Sequence, residues 1–330
     1  MTGTDAGPPR PPRCQLTRLV MLSGLALAVL LVWWVFQGVH TDALWASLGR
    51  LTTGVVVAVV LLNLASQVLR AAGWWLLLGP AHRLPAGRLI RYEFAAQAAT
   101  SLTPEGSGEV LRLWWLSREG VPATTTTAII VSRKLISSLG LVPFALLLPL
   151  LADLPSWVGC IVAGYAALLL GLAALLLAVL HRRRAGGPPG GRIRRLGGRL
   201  LDGLDSLRDA RVVLVALALA CATRATDVAA AWLLCASLGL PSGLAAAILA
   251  LLLVEVSNVL PTAPAQVGSF HAAAAMALRA LGVSDTVSLA YAVVLHAQQM
   301  LPQIVAGLMP LLVVGTGRRH EAPERLESVR

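Results

Sequence analysis

Glu109 and Arg112 stand three residues apart, a spacing that puts both on one face of a helix. Arg133 lies about ten residues into the next apolar stretch. Arginine carries a planar fork that grips phosphate in two places, so Arg112 and Arg133 point to an anionic phosphate group, with Glu109 beside it. The plain alternative is a Glu109–Arg112 pair that only neutralises itself. Arg224 and Asp227 repeat the same spacing. With Glu255 they read as coupling groups or structural ion pairs. Histidine titrates near neutral pH, so His271 and His296 are candidates for coupling proton movement to another event, or are hydrogen-bonded packing residues. Lys134 points to another face than Arg133 and reads as a snorkelling side chain. Arg70, close to the Trp74-Trp75 pair, reads as an interfacial anchor.

Recognisable enzyme chemistry is missing from this set. There is no Walker A sequence, no HExxH, no Gly-x-Ser-x-Gly and no aspartate-rich magnesium cluster. No catalytic residue, metal site or cofactor is expected, and ATP hydrolysis is not expected either.

The elements that must position these residues are apolar. The chain is 57% hydrophobic and 13% charged, about half the charge of an ordinary soluble domain, and its mean hydropathy is +0.75. Stretches of roughly 20 apolar residues recur, each long enough to cross about 30 Å of hydrocarbon. They are rich in Leu, Ala and Val without alternation, so helices are expected rather than a barrel. The expected class is an all-α polytopic membrane protein with about eight helical segments. Candidate spans are 19–36, 51–69, 124–151, 157–180, 212–234 and 286–314. Residues 1–18 are polar and proline-rich, and 19–36 reads as a retained anchor rather than a cleaved signal.

Two further apolar stretches are interrupted. Residues 89–115 break at Thr103-Pro104-Glu105-Gly106-Ser107-Gly108, and 244–281 break at Ala263-Pro264-Ala265-Gln266-Val267-Gly268. Each arm is too short to cross alone, so each stretch reads as a re-entrant hairpin. The breaks share Pro-x-x-x-Gly, as Pro104/Gly108 and Pro264/Gly268, and each is followed by Gly-Val, at Gly120-Val121 and Gly282-Val283. A polar residue then follows in the next span, Arg133 or His296. This is the pattern of an inverted repeat, in which broken helices meet near the midplane. Gly106 and Gly108 would open a half-helix whose N-terminus favours anions.

The net charge of +11 sits mostly in short loops, which marks cytoplasmic sides and not nucleic-acid binding. The loop 181–211 is dense in arginine. Placing it, residues 1–18 and the tail 315–330 on the cytoplasmic side makes the span count self-consistent, with halves 19–180 and 212–314. The four cysteines, Cys14, Cys160, Cys221 and Cys235, have no metal or redox spacing.

The stretch from Ser101 to Arg112, followed by Gly120-Val121, resembles the first signature of the lysylphosphatidylglycerol-synthase transmembrane-region, or flippase-like, superfamily. Leu260-Pro261, Pro264, Gly268-Ser269-Phe270, Gly282-Val283 and the run from Leu295-His296 to Pro302 and Gly307-Leu308 resemble the second. The likeness covers about residues 16–315. It implies two re-entrant hairpins and movement of a lipid across a bacterial inner membrane. In the best-studied members this region is fused to an aminoacyl-transferase, which is expected to be absent here, so synthase activity is not expected. Gly106 stands where the family commonly has a basic residue, and His271 where a carboxylate commonly follows the second break.

Two functions are therefore expected in competition. One is a flippase for an anionic phospholipid or polyprenyl-phosphate-linked glycan. The other is a membrane scaffold, docked through 181–211, for a cell-envelope glycosyltransferase or lipid-modifying enzyme.

Overall fold

The structure, a computed structural model, describes residues 49–103, 106–182, 205–240, 243–258, 266 and 268–315. The expected span 19–36, most of the basic loop, Pro104, Pro264 and the tail from residue 316 lie outside these residues. Every regular element among the described residues is helical.

Helix α1 (Thr53–Leu78) opens where the Thr52 hydroxyl accepts the Val55 N–H at 3.4 Å and closes at Gly79, whose φ is 64°. At 1.5 Å per residue its 26 residues reach about 39 Å, more than a hydrocarbon core needs. It continues well past the expected end at residue 69, which carries Arg70 and Trp74 inside the helix. Two short helices follow, α2 (Ala86–Leu102) and α3 (Ser107–Arg118). Across their break the Thr103 N–H and hydroxyl both donate to the Ala99 carbonyl, at 3.0 and 2.6 Å, which closes the end of α2.

The expected span 124–151 is two helices, α4 (Ala123–Leu139) and α5 (Val142–Leu151). The reason is local. A Cβ on Gly140 would lie 2.7 Å from the Ala220 carbonyl carbon, so the chain turns where the helix bearing Ala220 presses closest. Pro143 falls at the start of α5, where its missing N–H leaves no bond unmade.

Helix α6 is Ser156–Arg182 and α7 is Ala210–Ser237. Helices α8 (Gly243–Ser257) and α9 (Ser269–Ala280) form the second short pair, and α10 runs Asp285–Gly315. Among the described residues, five stretches are long and apolar enough to cross a membrane: Thr53–Leu78, Ala123–Leu151, Ser156–Val179, Ala210–Ser237 and Asp285–Pro310. This is a multi-pass membrane protein.

Packing interleaves the two halves. Helix α10 lies along α2, and α7 lies along α1. Gly307 permits the first approach, since a Cβ there would fall 2.1 Å from the Phe94 carbonyl oxygen. Helix α8 is apolar all round and sits at the centre, with residues 245–254 all buried, as a fully enclosed helix requires. Helix α6 is the most peripheral span, and its Leu168, Leu170, Leu172 and Leu175 face outward. In a bilayer such a face meets acyl chains.

Candidate functional site

Glu93, on the inward face of α2, is 1% exposed at its side chain and bridges two arginines. Arg112 of α3 approaches it at 3.1 Å and Arg133 of α4 at 2.8 Å. Arg112 also holds Glu109 at 2.9 Å and donates to the Gln97 amide oxygen at 3.2 Å. The Trp74 ring of α1 lies beneath both guanidinium groups, 5.9 Å from Arg112 and 5.1 Å from Arg133. A charge buried this deeply persists only when paired and hydrogen-bonded. The cluster pairs each of these charges by drawing one residue or more from each of four helices, and leaves Arg112 Nε, Glu93 Oε2 and Glu109 Oε2 without a hydrogen bond.

A second cluster joins α1, α4, α7 and α8. Asp227 accepts from the Ser66 hydroxyl at 2.8 Å and from Arg70 at 2.9 Å. Arg224 lies 3.7 Å from Asp227 and 2.8 Å from Glu255, so the expected Arg224–Asp227 pair is a longer contact than the one to Glu255. Ser138 donates to Glu255 at 2.7 Å, and Arg224 Nε donates to the Ser137 carbonyl at 3.1 Å. Tyr165 of α6 donates to the Ser138 carbonyl at 3.0 Å, which ties the outer helix to the network.

Both clusters line one cavity of about 710 Å³. Its wall carries five basic side chains, Arg70, Arg112, Arg133, Lys134 and Arg224, and four acidic ones, Glu93, Glu109, Asp227 and Glu255. Each of these carboxylates is held by arginine. Lys134 is exposed and has no ion pair among the described residues. Arg133 is 17% exposed at its side chain against 4% for Arg112. The cations open to an incoming anion are therefore Lys134, which has no ion pair among the described residues, with Arg133 on the same helix and Arg70 of α1, 24% exposed at its side chain, while Arg112 is enclosed by its own carboxylates.

Of the expected site residues, Arg112, Glu109, Arg133, Arg224, Asp227, Glu255 and His296 line the cavity. His271 does not. It is buried and meets the His296 ring edge-on at 4.7 Å, while Phe270 stacks on His296 at 4.5 Å. Gly106, Gly108 and Gly268 are also absent from the wall. Gly108 serves packing, because a Cβ there would fall 2.4 Å from the Ala96 carbonyl oxygen of α2. Gly106 and Gly268 hold φ of 90° and 92° immediately before α3 and α9, a conformation open mainly to glycine. Pro104 and Pro264 lie outside the described residues.

Three central residues escape the sequence reading. Glu93 is one, and Arg70 and Trp74 are the others, read from sequence as an interfacial anchor and found inside the cavity. The signal for Glu93 is its isolation: a carboxylate within a mostly apolar stretch costs enough in a membrane that it must have a cationic partner.

A family model described as the lysylphosphatidylglycerol synthase TM region matches residues 21–307. No curated protein matches the chain.

Proposed function

The chain belongs to the lysylphosphatidylglycerol synthase TM region family, and on that footing we propose that it is a transporter, not an enzyme, which moves a phosphate-bearing lipid headgroup across the bacterial inner membrane without ATP hydrolysis. The observation that carries this reading is the charged cavity, set among helices whose outer faces are apolar. Several charges at membrane depth each cost about 2.5–3.5 kcal/mol, and such groups mark pathways more often than they serve packing. The headgroup would meet Arg133 and Lys134, while the acyl or prenyl tails remain in the bilayer beside α6.

The two short-helix pairs, α2/α3 and α8/α9, are read as re-entrant hairpins of an inverted repeat. Their support is the entry into both α3 and α9 through a glycine of positive φ, and the meeting of both pairs at one cavity. Rocking one pair against the other would open the cavity to each side in turn. On this reading the termini and the loop 181–211 face the cytoplasm. The lipid is an anionic phospholipid or a polyprenyl-phosphate-linked glycan, and a glycosyltransferase or lipid-modifying enzyme is its natural partner.

Reconstitution tests the proposal. Proteoliposomes holding the full chain should move a fluorescent anionic phospholipid between leaflets at least tenfold faster than protein-free liposomes. Rates no faster than in protein-free liposomes, both for this lipid and for a short-chain polyprenyl-phosphate sugar, would refute it.

A further inference from the structure

The cavity has a second kind of wall. Beside its charges stand seven carboxamides, and three of them leave an acceptor oxygen without a partner among the described residues: Asn63 Oδ1, Asn258 Oδ1 and Gln298 Oε1. Asn63 is 7% exposed. Its orientation is fixed, because its amide nitrogen donates to the carbonyls of Gln298 and Gln299 at 3.2 and 3.4 Å, so its oxygen is the atom left over. A buried amide oxygen without a donor is costly. Donors are what this region of the cavity lacks.

A phosphate cannot supply them, since its oxygens only accept. An ammonium could donate, but a buried ammonium needs a carboxylate as well. All four carboxylates of the wall are already paired with arginine, so their charge is compensated, although Glu93 Oε2 and Glu109 Oε2 make no hydrogen bond of their own. The Trp74 face, which would otherwise attract a cation, is covered by Arg112 and Arg133. Neutral hydroxyl groups fit what remains, because each can donate to an amide oxygen and accept from an amide nitrogen.

We infer that the cavity recognises a sugar esterified to phosphate, with the phosphate on Arg133 and Lys134 and the sugar hydroxyls on Asn63, Asn258 and Gln298. This rests on the headgroup-transport reading and narrows its substrate to a hydroxyl-rich glycosyl phosphate. The amides come from α1, α8 with its outgoing turn, and α10, whereas Arg133 and Lys134 come from α4. The two recognition elements thus belong to different helices and can be altered separately.

Isothermal titration of the full chain in detergent against three decyl phosphodiesters distinguishes the chemistries. Their second substituents are glucose, methyl and ethanolamine. The glucose ester should bind roughly tenfold tighter than the methyl ester, the factor expected of two neutral hydrogen bonds. Asn258→Leu and Gln298→Met should each lower that preference about threefold or more and leave the methyl ester unaffected. Lys134→Gln should weaken the glucose and methyl esters alike. Asn63 is left intact because it also secures α10. Equal affinity for the glucose and methyl esters overturns the sugar inference while the headgroup site stands. Tightest binding of the ethanolamine ester overturns it in favour of an ammonium. Failure of all three to bind removes the headgroup site and the inference with it.

Discussion

Glu93 and Arg133 lie forty residues apart in the chain and meet at 2.8 Å inside the protein. Because Arg112 shares the same carboxylate, one acidic side chain of α2 fixes the position of both arginines from the helices that follow it. Removing it leaves two guanidinium groups in mutual repulsion with only Glu109 to compensate. Breaking a buried pair by deleting one partner costs about 3–5 kcal/mol. Glu93→Gln is therefore expected to lower the unfolding temperature in detergent well below that of Lys134→Gln, which breaks no ion pair. Equal melting temperatures for the two variants would show that Glu93 carries no such weight.

Asp227 plays the corresponding part in the second cluster, between Arg70 of α1 and Arg224 of its own helix. A double-mutant cycle on Arg70→Gln and Asp227→Asn isolates the contact. The expected coupling is about 0.5–3 kcal/mol, the range for directly bonded residues. Strict additivity would mean that the 2.9 Å contact contributes nothing to stability.

Gly307→Ala should be severely disruptive. Its new methyl group would have to share space with the Phe94 carbonyl, a backbone atom that cannot move without shifting α2. Overpacking of this kind costs about 1–3 kcal/mol or more. Gly164→Ala, on the open face of α6 with nothing within 4 Å, is the matched control and should be neutral. Size-exclusion profiles and melting curves of the two variants decide the matter.

Gly106 has open space around it but a φ of 90°. Alanine there is opposed only by backbone strain, roughly 1–2 kcal/mol. Asparagine tolerates left-handed geometry better than alanine, so Gly106→Asn should retain more stability than Gly106→Ala. The reverse order would mean that space, and not conformation, selects glycine at this turn.

Much of this architecture is visible in the sequence, for reasons that follow from the solvent. Runs such as those of α6 and α7 are too apolar and too long to be anything but spans, and the breaks before Ser107 and Ser269 announce themselves through proline and glycine. The grouping of charges is less legible. Arg112 with Glu109 follows from helical spacing, and the structure pairs them. Glu93 does not, because its partners lie on other helices and no local period points to them. Apolar composition weakens near residue 69, which puts Arg70 beyond the end of α1 on sequence grounds. The helix continues because Trp74, Leu77 and Leu78 are buried against neighbouring helices. Composition registers the lipid-facing surface well and the protein-facing surface poorly. The role of Arg112 shifts for the same reason: deep burial makes it a structural counter-ion first, so Arg112→Ala would confound loss of transport with loss of fold.

Arg133 and Lys134 are accordingly the residues on which the transport account stands. The double variant Arg133→Gln/Lys134→Gln, reconstituted with verified insertion and an intact melting transition, should translocate a phosphate-bearing fluorescent lipid at least tenfold more slowly than the unaltered chain. Translocation at the unaltered rate would contradict the account, because the headgroup would then be crossing by a route that does not use this cavity.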